Sequence, residues 1–225
     1  MNKQQFELTK KLNRYDDFMS SMHKSLNITN PASIKDFVPQ IPQIVLQSKE
    51  RVPVLMFEHV YNDLKNIWIA SESLPFNAPW FHGLLPAVLL NSLKNNGYSF
   101  TDNEVKEAFA RGLKLPAGGC GFCGVCGAAG GAGIVMSIVM KSTPFHAEER
   151  TLCFEASMAA TKKLTEIGGS RCCRLSSYVA IDVTIKILKK YNYLLPEEKM
   201  DNRCPINKIN DECLGKNCPF YPMNR

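Results

Sequence analysis

Residues 178–188 read Tyr-Val-Ala-Ile-Asp-Val-Thr-Ile-Lys-Ile-Leu, and the fold class turns on how they are taken. Val179, Ile181, Val183, Ile185 and Ile187 alternate without a break, the pattern of a strand with one buried face. The same stretch sets Val179, Val183 and Ile187 at steps of four, along one side of a helix. The rest of the chain offers no second strand-like run to pair with it. The reading is therefore a buried helix, and an all-α, compact multi-helix domain with an irregular cysteine-bearing C-terminal segment.

The flanking sequence supports this. Leu8, Leu12, Tyr15, Met19, Met22 and Leu26 recur at helical spacing over 3–28, and Asn30-Pro31 closes that segment. Ser33 caps a short helix through Val38, Pro39 and Pro42 interrupt the chain beyond it, and helix resumes at Gln43–Ser48. Leu55, Val60, Leu64, Ile67 and Trp68 mark a helix over 54–69. His82–Asn95 is a strongly apolar helix ended by Asn96-Gly97. Thr101 and Glu104 form a capping box for the next helix, which runs to about Leu113. Further helices are expected over 127–141 and 146–167, the latter ended by Gly168-Gly169. The expected division is an N-terminal helical segment, 1–70, and a cysteine-rich helical domain, 71–225, with a metal-binding tail, 196–225.

Composition narrows the function. The chain has 225 residues, 45% apolar and 21% charged, enough for a real core. Its net charge of +6 is spread among acids, with no basic stripe interleaved with aromatics, so nucleic acid is not an expected partner. The longest nearly uncharged apolar run, 128–140, is too short for a bilayer, which takes about 20 residues. The polar start, with no apolar signal-like stretch, and nine cysteines point to a reducing, cytoplasmic setting. Clustered thiols there usually mean metal or redox chemistry.

Eight of those cysteines fall into three groups. Cys120, Cys123 and Cys126 have C-x2-C-x2-C spacing in a glycine-rich turn, where two-residue gaps suit a cuboidal iron–sulfur cluster. Cys126 precedes a helix, whose N-terminal N–H groups favour a thiolate. Zinc also accepts C-x2-C, given a fourth ligand. Cys172 and Cys173 lie between Arg171 and Arg174 at a helix start, a setting expected to lower their pKa and make them reactive. Cys204, Cys213 and Cys218 sit in a tail with little apolar content, where a bound ion could supply folding energy. Whether the tail forms its own centre or adds ligands to the first group stays open. Cys153, alone within a helix, reads as a small buried hydrophobe. His82 is either a ligand or proton donor, or a packed core histidine. The glycines of 127–133 match no Walker pattern.

The order of several motifs resembles a known family. These are His82-Gly83-Leu84-Leu85-Pro86, Gly119-Cys120-Gly121-Phe122-Cys123-Gly124-Val125-Cys126-Gly127, Thr143-Pro144, Gly168-Gly169-Ser170-Arg171-Cys172-Cys173-Arg174, and Asn210-Asp211-Glu212-Cys213-Leu214-Gly215-Lys216-Asn217-Cys218-Pro219-Phe220. Together, over roughly 75–222, they resemble an uncharacterised cysteine-rich domain of anaerobic bacteria and archaea, found alone or beside radical-SAM or methyltransferase modules. The resemblance implies Cys120, Cys126, Cys172, Cys173, Cys204, Cys213 and Cys218 as the shared metal-ligating set. This chain departs from that pattern at Cys123, where the family often has an aromatic, and at Phe81-His82, where it often has paired histidines.

The expected function is a cysteine-ligated iron–sulfur protein, with a [4Fe–4S] centre on Cys120, Cys123 and Cys126. An open iron would take a sulfur-containing or one-carbon substrate. Cys172 or Cys173 would act as nucleophile or extra ligand, Arg171 would hold a carboxylate, and His82 would donate or accept a proton. A redox protein or a methyltransferase is the expected partner. The alternatives are a zinc-stabilised interaction module and a thiol-based metal or sulfur carrier with thiols of low pKa.

Overall fold

The alternating stretch is absorbed by a helix running from Cys173 to Lys190. Tyr178, Ile181, Ile185 and Leu188 are buried at steps of three and four, while Asp182 and Lys186 face solvent and pair at 2.6 Å. An i, i+4 ion pair and a buried helical face both fit one helix, whereas a strand here would have no partner for its backbone.

The computed structural model describes residues 7, 11–27, 36–68, 74–201 and 203–223, with the backbone alone for 22–27. Among these the elements are α1 (Tyr15–Asn27), α2 (Ile41–Gln47), α3 (Pro53–Ile67), α4 (Phe81–Asn95), α5 (Asp102–Gly112), α6 (Gly119–Phe122), α7 (Gly127–Val139), α8 (Ala147–Ile167) and α9 (Cys173–Lys190). Short 3-10 turns lie at Val38–Gln40 and Gly215–Asn217, and no strand occurs among the described residues. None of these helices is long and apolar enough to cross a membrane.

Helices α4 and α7 form the centre. Helix α4 is buried continuously from Gly83 to Leu93 and packs against α2, α3, α5, α7 and α9. Helix α7 packs against α4, α5, α8 and α9. The apolar core runs from Phe37 through α3 and α4 to Leu188 and Met200. Polar ties supplement it: Asn91, wholly buried, donates from Nδ2 to the Val45 carbonyl at 2.6 Å. Asn95 donates to the carbonyls of Ser48 and Glu50 at 2.9 and 2.8 Å, satisfying backbone acceptors just past α2.

Two local expectations change. The helix expected over 3–28 is interrupted, because Leu12–Arg14 are not helical and α1 starts at Tyr15. Asp16 and Asp17 occupy its first turn, where the helix dipole favours acids. Residues 3–6, 8–10, 28–35 and 69–73, including the proposed Ser33 cap, lie outside the described residues. Pro42 does not break a helix but occupies the first turn of α2, where its missing N–H costs nothing.

The capping box is present as read: Thr101 Oγ1 accepts from the Glu104 N–H at 3.2 Å, and Glu104 accepts from the Thr101 N–H at 2.7 Å. Thr101→Ala should cost about 1 kcal/mol. Urea denaturation of the two proteins checks this, with the slope expected to stay unchanged.

Candidate functional site

Pro116 delivers the chain to Gly118, whose φ of +71° starts the single-turn helix α6. Gly124, with φ of +68°, then reverses the backbone so that the Val125 N–H reaches the Gly119 carbonyl at 3.0 Å. Both conformations suit glycine. The effect is to fold Cys120 and Cys126 onto one side of the loop. Both border a cavity of about 610 Å3, whose other lining residues include His82, Arg171, Cys172 and Cys173. Cys120 and Cys123 are both exposed at the surface, but Cys120 is among the lining residues and Cys123 is not. The regular cysteine spacing does not make three equivalent inward ligands.

Cys172 is the N-cap of α9 and its Sγ accepts from the Leu175 N–H at 3.5 Å. The Cys173 N–H donates to Asn77 Oδ1 at 2.7 Å, a cap supplied from before α4 that no local sequence signal announces. Cys126 is the N-cap of α7, but its side chain makes no capping hydrogen bond.

The electrostatics correct one expectation. Burial raises the Cys172 pKa despite the N–H groups of Leu175 and Arg174. Burial pushes Cys173 up to about 12, with the Arg171 charge opposing and the Cys172, Cys120 and Cys126 sulfurs adding. Cys120 also rises, through desolvation and then the charge of Cys126. Helix start and flanking arginines therefore do not yield low-pKa thiols in the protein alone. Desolvation outweighs them, and a cation would be needed to hold these sulfurs as thiolates.

Only one of the two flanking arginines borders the cavity. Arg174 is fully buried: Nη2 lies 2.5 Å from Glu58 Oε2, Nε lies 3.0 Å from the Tyr178 hydroxyl, and the guanidinium carbon stands 4.0 Å from the Tyr61 ring centre. The Tyr178 hydroxyl also donates to Glu58 at 2.6 Å. This network pins the first turn of α9, and with it Cys172 and Cys173, to α3. Sequence reading missed Glu58 and Tyr178; the 116-residue separation of the charge pair leaves no local trace.

His82 lines the cavity and sets Nδ1 3.3 Å from the Leu115 carbonyl, so Nδ1 carries the proton and Nε2 is left as an acceptor. Its ring packs against Gly127, where an added Cβ would fall 2.1 Å from Cδ2. Burial lowers its pKa, the Leu115 contact opposing and the Arg171 charge adding. Because the folded value lies below the unfolded one, the unfolded chain binds the proton first. Stability should then fall as pH drops below about 6.5. His82→Asn should flatten that part of a melting-temperature profile against pH.

The tail forms a second thiol grouping. Cys172, Cys204, Cys213 and Cys218 all line a small cleft of about 20 Å3, together with Tyr178, Asn210 and Phe220. Phe220 meets Tyr178 edge-on at 5.0 Å, and the Cys204 N–H donates to the Phe220 carbonyl at 2.9 Å. Leu214 packs on Gly169 so tightly that an added Cβ would lie 2.3 Å from it. Cys153 is half-buried, donating to the Glu149 carbonyl, as a small core residue should.

Among the described residues, no three His, Cys, Asp or Glu side chains are disposed to hold a metal ion as they stand. The donor chemistry nevertheless fits an inorganic centre: soft sulfur ligands line two cavities, with Arg171 beside one and Arg174 beside the other.

Fold and cavities define an all-helical protein whose thiols gather around the start of one helix. Residues 41–221 match a family of unknown function, DUF5714, and the chain belongs to it. Comparisons with curated proteins and with solved structures found no match.

Proposed function

We propose that the larger cavity carries an iron–sulfur centre of the [4Fe–4S] type held by Cys120, Cys126 and Cys173, in a protein of anaerobic metabolism. The observation carrying this reading is that thiols from two separate segments border one cavity of about 610 Å3, roomy enough for a cluster and a small ligand. When bound through three thiolates, such a centre offers one iron without a protein ligand, able to accept oxygen or sulfur from a substrate. Arg171 would hold a carboxylate of a sulfur-containing or one-carbon substrate at the cavity wall. His82, neutral with Nδ1–H committed to Leu115, leaves Nε2 free to accept a proton. The glycines and alanines of the lining leave the space open.

The upward shifts of Cys120, Cys172 and Cys173 favour a bound centre over a carrier that works through low-pKa thiols. The test is purification without oxygen, then iron and sulfide analysis with electron paramagnetic resonance of the reduced protein. About four irons per chain and a cluster signal support the proposal. Colourless protein that takes up no iron on reconstitution contradicts it.

A further inference from the structure

The tail thiols border a cleft whose lining shares only Cys172 and Leu175, and no other cysteine, with the larger cavity. We propose that Cys172, Cys204, Cys213 and Cys218 bind a single divalent cation of the zinc type, stapling the tail to the start of α9.

Size argues for one ion. A cleft of about 20 Å3 has room for little more than one water molecule, so a cuboidal cluster would not enter it. Composition argues for zinc: four sulfurs outnumber the one carboxylate, Glu212, that also borders the cleft, and a thiolate-rich set suits a tetrahedral structural site. Cys120, Cys126 and Cys173 do not border this cleft. Cys172 borders both cavities, whereas Cys173 borders the larger one and not the cleft. The adjacent pair at the start of α9 can thereby be divided, Cys173 serving the larger cavity and Cys172 the cleft.

The backbone is arranged for anionic sulfur. The Ile206 N–H lies toward the Cys204 sulfur and the Phe220 N–H toward the Cys218 sulfur, while the Tyr221 N–H donates to the Cys218 carbonyl at 3.1 Å. In both cases proline follows the cysteine, so the next residue has no N–H and the chain turns to present later ones. Cys172 Sγ accepts from the Leu175 N–H at 3.5 Å. Backbone donors of this kind stabilise a thiolate whether or not a metal is bound.

Energetics supply the reason for an ion. Within 196–223, only Met200, Ile206 and Asn210 are buried among the described residues. That is little apolar burial for so long an irregular segment, and each ordered residue costs about 1–2 kcal/mol of backbone entropy. Ligation can supply what the apolar burial does not: four sulfurs border one small cleft, and a divalent cation would draw them to about 2.3 Å from it.

Cobalt(II) is the probe, titrated without oxygen into the full reduced chain. The proposal expects one equivalent bound with the visible spectrum of a tetrahedral tetrathiolate. The same spectrum should persist in a Cys120→Ala/Cys126→Ala double variant. Cys213→Ala and Cys218→Ala should each lose more than about 100-fold in cobalt affinity, beyond what loss of an outer-shell contact costs. In case those variants fold poorly, wild-type protein loaded with zinc is treated with chelator and protease: the tail should become cleavable while the helical circular dichroism stays. Absence of a tetrahedral cobalt spectrum in the wild type would overturn the site. So would its loss in the double variant, which would mean one shared centre, or a tail cleaved equally with and without zinc.

Discussion

Glu58→Ala is expected to destabilise the protein by about 3–5 kcal/mol, the cost of stranding a buried charge. The side chain of Arg174 is 1% exposed and that of Glu58 14%, so solvent cannot take over the lost contact. Nη1 of Arg174 already has no hydrogen-bond partner in the structure, and its guanidinium rests on the Tyr61 ring instead. Removing the carboxylate would leave Nη2 with no partner as well, and Nε with the Tyr178 hydroxyl alone. Replacing both partners, as Glu58→Leu with Arg174→Met, should recover most of the loss, because no ion then remains to be desolvated. Denaturant unfolding of the single and double variants measures the difference. The network also places Cys172 and Cys173, so Glu58→Ala should weaken metal uptake more than the double replacement does.

Gly112→Ala is the second large effect. An added Cβ would sit 2.2 Å from the His82 carbonyl oxygen and 2.5 Å from the Gly83 Cα. Those atoms are backbone, so no side-chain rotation relieves the clash, and α4 and α5 must separate. The cost should reach the upper end of the roughly 1–3 kcal/mol usual for overpacking, or exceed it. Gly121→Ala is the matched control: nothing lies within 4 Å of the added Cβ, and stability should barely move. A shift in unfolding midpoint for the first variant and none for the second checks the argument. Equal shifts would mean that helix propensity, not the close crossing, governs the effect.

These two sites mark the boundary of what the sequence discloses. Helical periodicity and caps are local, and they were legible: the helix read over 178–188 lies within α9, and the Thr101–Glu104 box and the Gly168-Gly169 stop stand where the residues put them. The inward turn of Arg174 was not legible, because its partner Glu58 lies 116 positions away. Nor was the orientation of Cys123. Even spacing invites three equivalent ligands, but the two left-handed glycines that bracket α6 bring Cys120 and Cys126 to the cavity and leave Cys123 out of its lining. Thiol acidity also escaped a local reading. Flanking arginines and a helix start are visible in sequence, whereas the burial that overrides them belongs to the tertiary fold.

The most direct test of the account compares iron content across four single variants prepared without oxygen. Cys120→Ala, Cys126→Ala and Cys173→Ala should each lose most of the bound iron, whereas Cys123→Ala should retain it. Loss of iron in Cys123→Ala equal to that in Cys120→Ala would contradict the assignment, as would full retention in Cys173→Ala.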